Sequence, residues 1–299
     1  MKVSGIMTVL PVFCVSLFGL AILPKLQADN TDLLEVVAVG TTGYAVQATA
    51  FDAPAYTNYN LSAFTSVEDD GDLLTVNQTG GGFSYDGSLL ANFVKEGDSL
   101  HFESAVYSSL NELYQVYPLG KSFLFNFLYD GSERVESGTR ESDPTPHSMP
   151  LNPGYITSAT ASVDTPGVLN GYWENGNLVL DVTGKYHLSF SQFVTVPLNA
   201  LVDVWGGPGD NYYEAHIFSE GNLAELVIDG SNLVAGHIYQ GEIEIFYGTV
   251  IDDDNVAIVD FKRSITTFTI EAVPEPSTYA LWVGLLVGVA ALMHSRRVG

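Results

Sequence analysis

Cysteine is almost missing from this chain: there is one, Cys14, and it falls in an apolar run near the start. A body without cysteine has no disulfides, no cysteine nucleophile and no thiolate metal site. Cations are scarce too, with 11 Lys/Arg against 35 Asp/Glu and a net charge of −24. Between residues 29 and 272 there remain 7 Lys/Arg and 34 Asp/Glu, a net −27. Such a body has no cationic footprint and repels nucleic acid and anionic lipid, so nucleic-acid binding is excluded. Catalytic signatures are lacking as well: no GxSxG elbow, no GxxxxGKS/T phosphate loop, no HExxH and no GxGxxG. Gly80-Gly81-Gly82 has no helix behind it and reads as a turn. Helical periodicity is weak across the body, and only Ser108 to Tyr117 offers two turns.

What is present is a strand pattern. Tyr44, Val46, Ala48 and Ala50 alternate with Ala45, Gln47, Thr49 and Phe51. Phe123 to Tyr129 is apolar on both faces except at Asn126, as in a doubly covered central strand. Leu178, Leu180 and Val182 share one face. Thr183-Gly184 then reads as a two-residue turn into Tyr186, Leu188 and Phe190, which predicts a hairpin. Ile243, Ile245 and Tyr247 oppose Glu242 and Glu244, and Ser264 to Glu271 forms a last strand rich in Thr and Ile. Gly, Asn and Asp turns at a spacing of about 8–12 residues predict an all-β fold, an antiparallel β-sandwich. One composition break, Ser137 to Gly154, holds four prolines. Either it is a linker, 137–154, between two tandem sandwiches, 29–136 and 155–272, or it is a surface loop of one large sandwich.

Both ends differ in kind from the body. Met1-Lys2 followed by the apolar run Ile6 to Leu23, with Leu26-Gln27-Ala28 as a cleavage site, predicts a signal peptide over 1–28. At the other end come Pro274-Glu275-Pro276, an uncharged apolar run, 278–293, and Arg296-Arg297. The prolines stop the preceding strand. The run predicts a helix of about 24 Å at ~1.5 Å per residue, close to the ~30 Å of a bilayer core. Tyr279 and Trp282 suit one interface, and the arginines belong on the cytoplasmic side. This order resembles the sorting signal of PEP-CTERM proteins, exported proteins of Gram-negative bacteria, over about residues 273–297. The resemblance implies roles for Pro274, Glu275, Pro276, Arg296 and Arg297 in sorting. It further implies processing by exosortase after signal peptidase, a transient inner-membrane anchor with the body on the periplasmic side, and then the cell surface or the extracellular space.

Individual side chains add little chemistry. His101, His187 and His216 alternate with polar neighbours and read as solvent-side, and Glu242 with Glu244 reads as a solvated strand face. Two acidic turns, Asp69, Asp70 and Asp72 after Glu68, and Asp252, Asp253 and Asp254, offer the hard oxygen ligands that Ca²⁺ takes. They match no EF-hand loop, and solvated turn carboxylates are the plainer reading of them. Trp173 and Trp205 are aromatic candidates for stacking on a sugar ring. The expectation is therefore a non-enzymatic exported surface or matrix protein with no cofactor except Ca²⁺ at those turns. A carbohydrate-binding module for exopolysaccharide and a secreted glycan-active enzyme are the alternatives.

Overall fold

The computed structural model describes residues 34–274 apart from 70–71, 74–75, 93, 97–98, 130–131, 143–152, 194–196, 198, 210–211 and 254–255. The signal peptide, Glu275, Pro276, the apolar run 278–293, Arg296 and Arg297 lie outside the described residues, as do His147, Asp70 and Asp254. No helix among the described residues is long and apolar enough to cross a membrane.

The chain is mostly β. Its first strands are β1 (Leu34–Ala45), β2 (Tyr56–Asp69), β3 (Asp72–Leu73), β4 (Val76–Tyr85), β5 (Ser88–Asn92), β6 (Val94–Glu96) and β7 (Ser99–Glu103). Helix α1 (Leu110–Val116) precedes β8 (Ser122–Tyr129) and β9 (Ser132–Thr139). Next come β10 (Ile156–Ala161), β11 (Tyr172–Glu174), β12 (Asn177–Asp181), β13 (Lys185–Phe190), β14 (Asn199–Gly206), β15 (Tyr213–Ser219) and β16 (Leu226–Asp229). Two long strands close the series, β17 (Ile238–Asp253) and β18 (Val256–Val273).

Compactness does not follow the chain. One unit gathers the described residues of Met1–Gly43, Asn58–Met149 and Phe246–Arg263, the other those of Tyr44–Thr57, Pro150–Ile245 and Ser264–Gly299. No single cut in 137–154 parts them. That stretch is not a uniform linker either, since Ser137 to Thr139 complete β9 and Arg140 is fully buried.

In the first unit, β17, β18, β1, β2, β7 and β6 are successive neighbours, and a second sheet runs β5-β4-β8-β9. Its sandwich-like core sets Val37, Val39, Leu61, Ala63, Leu100 and Phe102 against Phe83, Tyr85, Phe123, Phe125 and Phe127. The ring centroids of Phe83 and Phe102 lie 4.9 Å apart, within the range of favourable aromatic pairs. Only one face of β8 is fully buried: Leu124, between Phe123 and Phe125, is 36% exposed. Gly80 to Gly82 belong to β4, where the register slips between Asn77 and Gly82, so they make an irregular strand rather than a turn. Helix α1 is set by its cap: the Ser109 hydroxyl accepts from the Glu112 N–H, and the Glu112 carboxylate accepts from Ser108.

In the second unit, β15, β14, β17 and β18 are neighbours, and β12 lies parallel to β18, so this sheet is mixed rather than purely antiparallel. A three-stranded sheet runs β10-β13-β16. A Cβ on Gly171 would meet Ala159 of β10 and Leu180 of β12, each at 2.7 Å, so the two sheets close on each other there. The expected hairpin of β12 and β13 does not form: β12 pairs with β11 and β18, and β13 with β10 and β16. The turn between them is a corner. Asp181 accepts from the Thr183 N–H and hydroxyl at 2.8 Å each, and the Tyr186 hydroxyl folds back to accept from the Asp181 N–H at 2.8 Å. The Gly230 N–H donates to the Gly184 carbonyl at 2.7 Å, so the end of β16 fills the flank of the turn. A Cβ on Gly230 would sit 2.4 Å from the Asp181 carbonyl oxygen, and only glycine allows that approach. Tyr44 to Phe51 is likewise no strand beyond Ala45, although the Ala48 N–H donates to Thr267.

Candidate functional site

The β14–β15 hairpin has two unlike faces because its side chains alternate. Val202 and Val204 point inward and are fully buried. On the other face Leu201, itself buried, stands opposite Phe218, Asp203 opposite His216 and Trp205 opposite Glu214. Directly opposed side chains in such a ladder have Cβ atoms about 5 Å apart. Glu214 and His216 are exposed, while Asp203 and Trp205 are half-buried. Tyr212 continues the row and is 59% exposed; Phe218 is 39% exposed. The Tyr212 phenol titrates above its ordinary value, through local desolvation first and then the Glu214 and Asp203 carboxylates.

The turn that leaves β14 is built for a tight path. Gly206 and Gly207 have φ of 133° and 114°, values that favour glycine. Gly206 also lies against Tyr239, where a Cβ would be 3.4 Å from the Tyr239 Cα. Beneath it Tyr213 and Tyr239 pack edge to face at 5.9 Å. Burial, then Asp229 and Tyr239, pushes the Tyr213 phenol up to about 12. A packed inner layer therefore holds an outer row of aromatic and carboxylate groups. No Lys or Arg occurs in β14, in β15 or in residues 238–245. Chemically, the row can stack on a flat apolar surface and accept hydrogen bonds beside it.

The other residues singled out by sequence are placed differently. Trp173 on β11 meets Phe51 edge-on at 5.9 Å, and its indole N–H is buried, so it packs the unit rather than presenting a ring. His101 is not solvent-side: it stacks on Phe64 at 6.0 Å, and burial, then Arg263, lowers its pKa to about 4. His187 is partly exposed and pairs with Glu225. Glu242 and Glu244 are buried rather than solvated, because β17 is an interior strand covered on both faces. Asp69 and Asp72 face each other across the β2–β3 turn, and Asp252 and Asp253 end β17. No group of three or more His, Asp or Glu side chains among the described residues is placed to hold a metal ion.

A buried ionic cluster in the first unit escaped the sequence reading. Arg140 and Asp260, with side chains 0% and 1% exposed, lie 3.6 Å apart. Asp260 also accepts from the Glu141 N–H at 2.7 Å. Arg140 donates to Thr41 at 2.9 Å and sits 6.0 Å from the Tyr114 ring centroid. Lys262, itself buried, donates to Glu141 at 3.3 Å. The available signal was Asp260 and Lys262 alternating around Phe261, just after the apolar Val256 to Val259, in a body that has few cations.

No family model matches the chain, and no curated protein matches it. Among solved structures, it is similar to the yeast δ-COP-I μ-homology domain complexed with a Dsl1 WxWxV peptide. The similarity is 10% identity with a TM-score of 0.26, covering 82% of this chain and 100% of that one. A score of that size supports no inference about this protein.

Proposed function

We propose that the chain is an exported, non-enzymatic surface or extracellular-matrix protein delivered by a PEP-CTERM sorting tail. What supports the reading is the order Pro274-Glu275-Pro276, the apolar run 278–293 and Arg296-Arg297, set directly behind a strand that ends at Val273. Signal peptidase removes 1–28, the apolar run holds the body on the periplasmic side, and exosortase then releases it. The β body ends one residue later than the composition suggests, since Val273 accepts from the Val182 N–H at 2.9 Å. The two arginines are the only cations beyond the apolar run. In a host carrying a matching exosortase, Arg296→Ala with Arg297→Ala should leave unprocessed full-length chain in the membrane fraction. Unchanged processing and release of that double variant would sink the reading.

A second reading, carbohydrate binding, is favoured by the outward row of Trp205, Tyr212, Asp203 and Glu214. Such a module would attach the released body to exopolysaccharide. A secreted glycan-active enzyme is the second alternative.

A further inference from the structure

We infer that the outward face of the β14–β15 hairpin takes a glycan bearing protonated amines, a partly or fully de-N-acetylated hexosamine polymer. The inference rests on the carbohydrate-binding reading and names the sugar class for the same face. Three observations carry it. Trp205 and Tyr212 stand at one end of the sheet face, over a packed inner layer, and Phe218 lies farther along β15 beyond His216. Asp203 and Glu214 flank the aromatic groups, so acceptors stand beside the stacking surface rather than at a distance. Neither strand, nor the adjoining residues 238–245, contributes a Lys or Arg.

Charge complementarity then decides among sugars. A uronate-bearing or sulfated polymer would bring further negative charge to carboxylates on a body of net −27. A neutral polymer would gain stacking but no charge-assisted hydrogen bond from the carboxylates. An ammonium on the sugar forms charge-assisted hydrogen bonds to Asp203 and Glu214, and its ring stacks on Trp205 with a cation–π contribution. His216, which stands opposite Asp203, is the one His, Lys or Arg among the described residues of β14 and β15.

The test uses the full chain purified in detergent and measures binding to glucosamine hexamer, N-acetylglucosamine hexamer and polylysine, at a pH where amines are protonated and carboxylates are not. Glucosamine hexamer should bind best. Trp205→Ala and Glu214→Gln should each weaken it about tenfold, a loss of the size that stacking or a charged hydrogen bond supplies. Glu214 is exposed, so its variant keeps the fold, which circular dichroism checks. Equal binding of the acetylated hexamer would overturn the amine class while leaving carbohydrate binding intact. Binding of polylysine as tight as that of the amino sugar, with Trp205→Ala without effect, would reduce the face to unspecific charge attraction. Binding of none of the three would overturn both the inference and the reading beneath it.

Discussion

His101 shows how a single side chain is governed by its neighbours on three strands. On β7 it stacks on Phe64 of β2, stands in register with position 94 of β6, and has the positive charge of Arg263 nearby. The proton is therefore excluded down to about pH 4, whereas an unfolded chain takes it up near 6.5. Because the unfolded state binds more protons between these values, stability must fall as pH drops through that window. The loss approaches about 3 kcal/mol for this group alone. Denaturant titrations of wild type and His101→Gln across the window should show the wild type losing more, with the difference vanishing above neutral pH. Parallel pH profiles for the two proteins would mean that His101 does not titrate this way. Alternation with Glu103 had placed this residue on an outward face. A period of two identifies which residues share a face, but a neighbouring ring such as Phe64 decides whether that face meets water.

At the scale of elements, the ionic cluster ties the residues just after β9 to β18. Arg140 and Glu141 reach Asp260 and Lys262 across 119 to 121 positions of sequence, so no local pattern announces the contact. A buried ion pair is weak evidence of net stabilisation, yet breaking one strands the surviving charge. Asp260→Asn and Arg140→Met should each cost about 3–5 kcal/mol, while the double variant should recover a large part of that loss. Additive losses in the double variant, measured by urea unfolding, would show that the two charges do not act on each other. Legibility followed the same divide between local and distant causes. Helix α1 was readable because Ser109 and Glu112 cap it within four residues. The strand positions of Leu178 to Asp181 and Lys185 to Phe190 were readable from alternation. Their pairing was not, because the partners that win, Ile270 on β18 and the β10 and β16 strands, lie elsewhere in the chain. For the candidate face, Trp205 was legible as an aromatic in a glycine-rich turn. Its register with Glu214, and the exposure of Tyr212, needed the sheet.

For the molecule as a whole, charge outweighs any single contact. The body's 34 acidic residues face 7 cations, and two of those, Arg140 and Lys262, are committed to the buried cluster. Carboxylates so far in excess of cations repel one another, and acidic residues adjoin in sequence at Asp69, Asp70 and Asp72 and at Asp252, Asp253 and Asp254. Monovalent salt weakens that repulsion over a Debye length of ~8 Å at physiological ionic strength. A divalent ion shared by carboxylates of one turn acts at shorter range and depends on the folded backbone to bring them together, so it favours the native state by mass action. Millimolar Ca²⁺ should therefore raise Tm more than NaCl of the same ionic strength. Changing Asp252, Asp253 and Asp254 together to Asn should raise Tm in low salt, by removing like charges, and should shrink the extra effect of Ca²⁺. Screening alone predicts something different: identical Tm in Ca²⁺ and matched NaCl, with the triple variant more stable in both. Thermal unfolding of the two proteins in the two salts separates these accounts, and equal melting in Ca²⁺ and NaCl would leave the acidic turns as solvated loops.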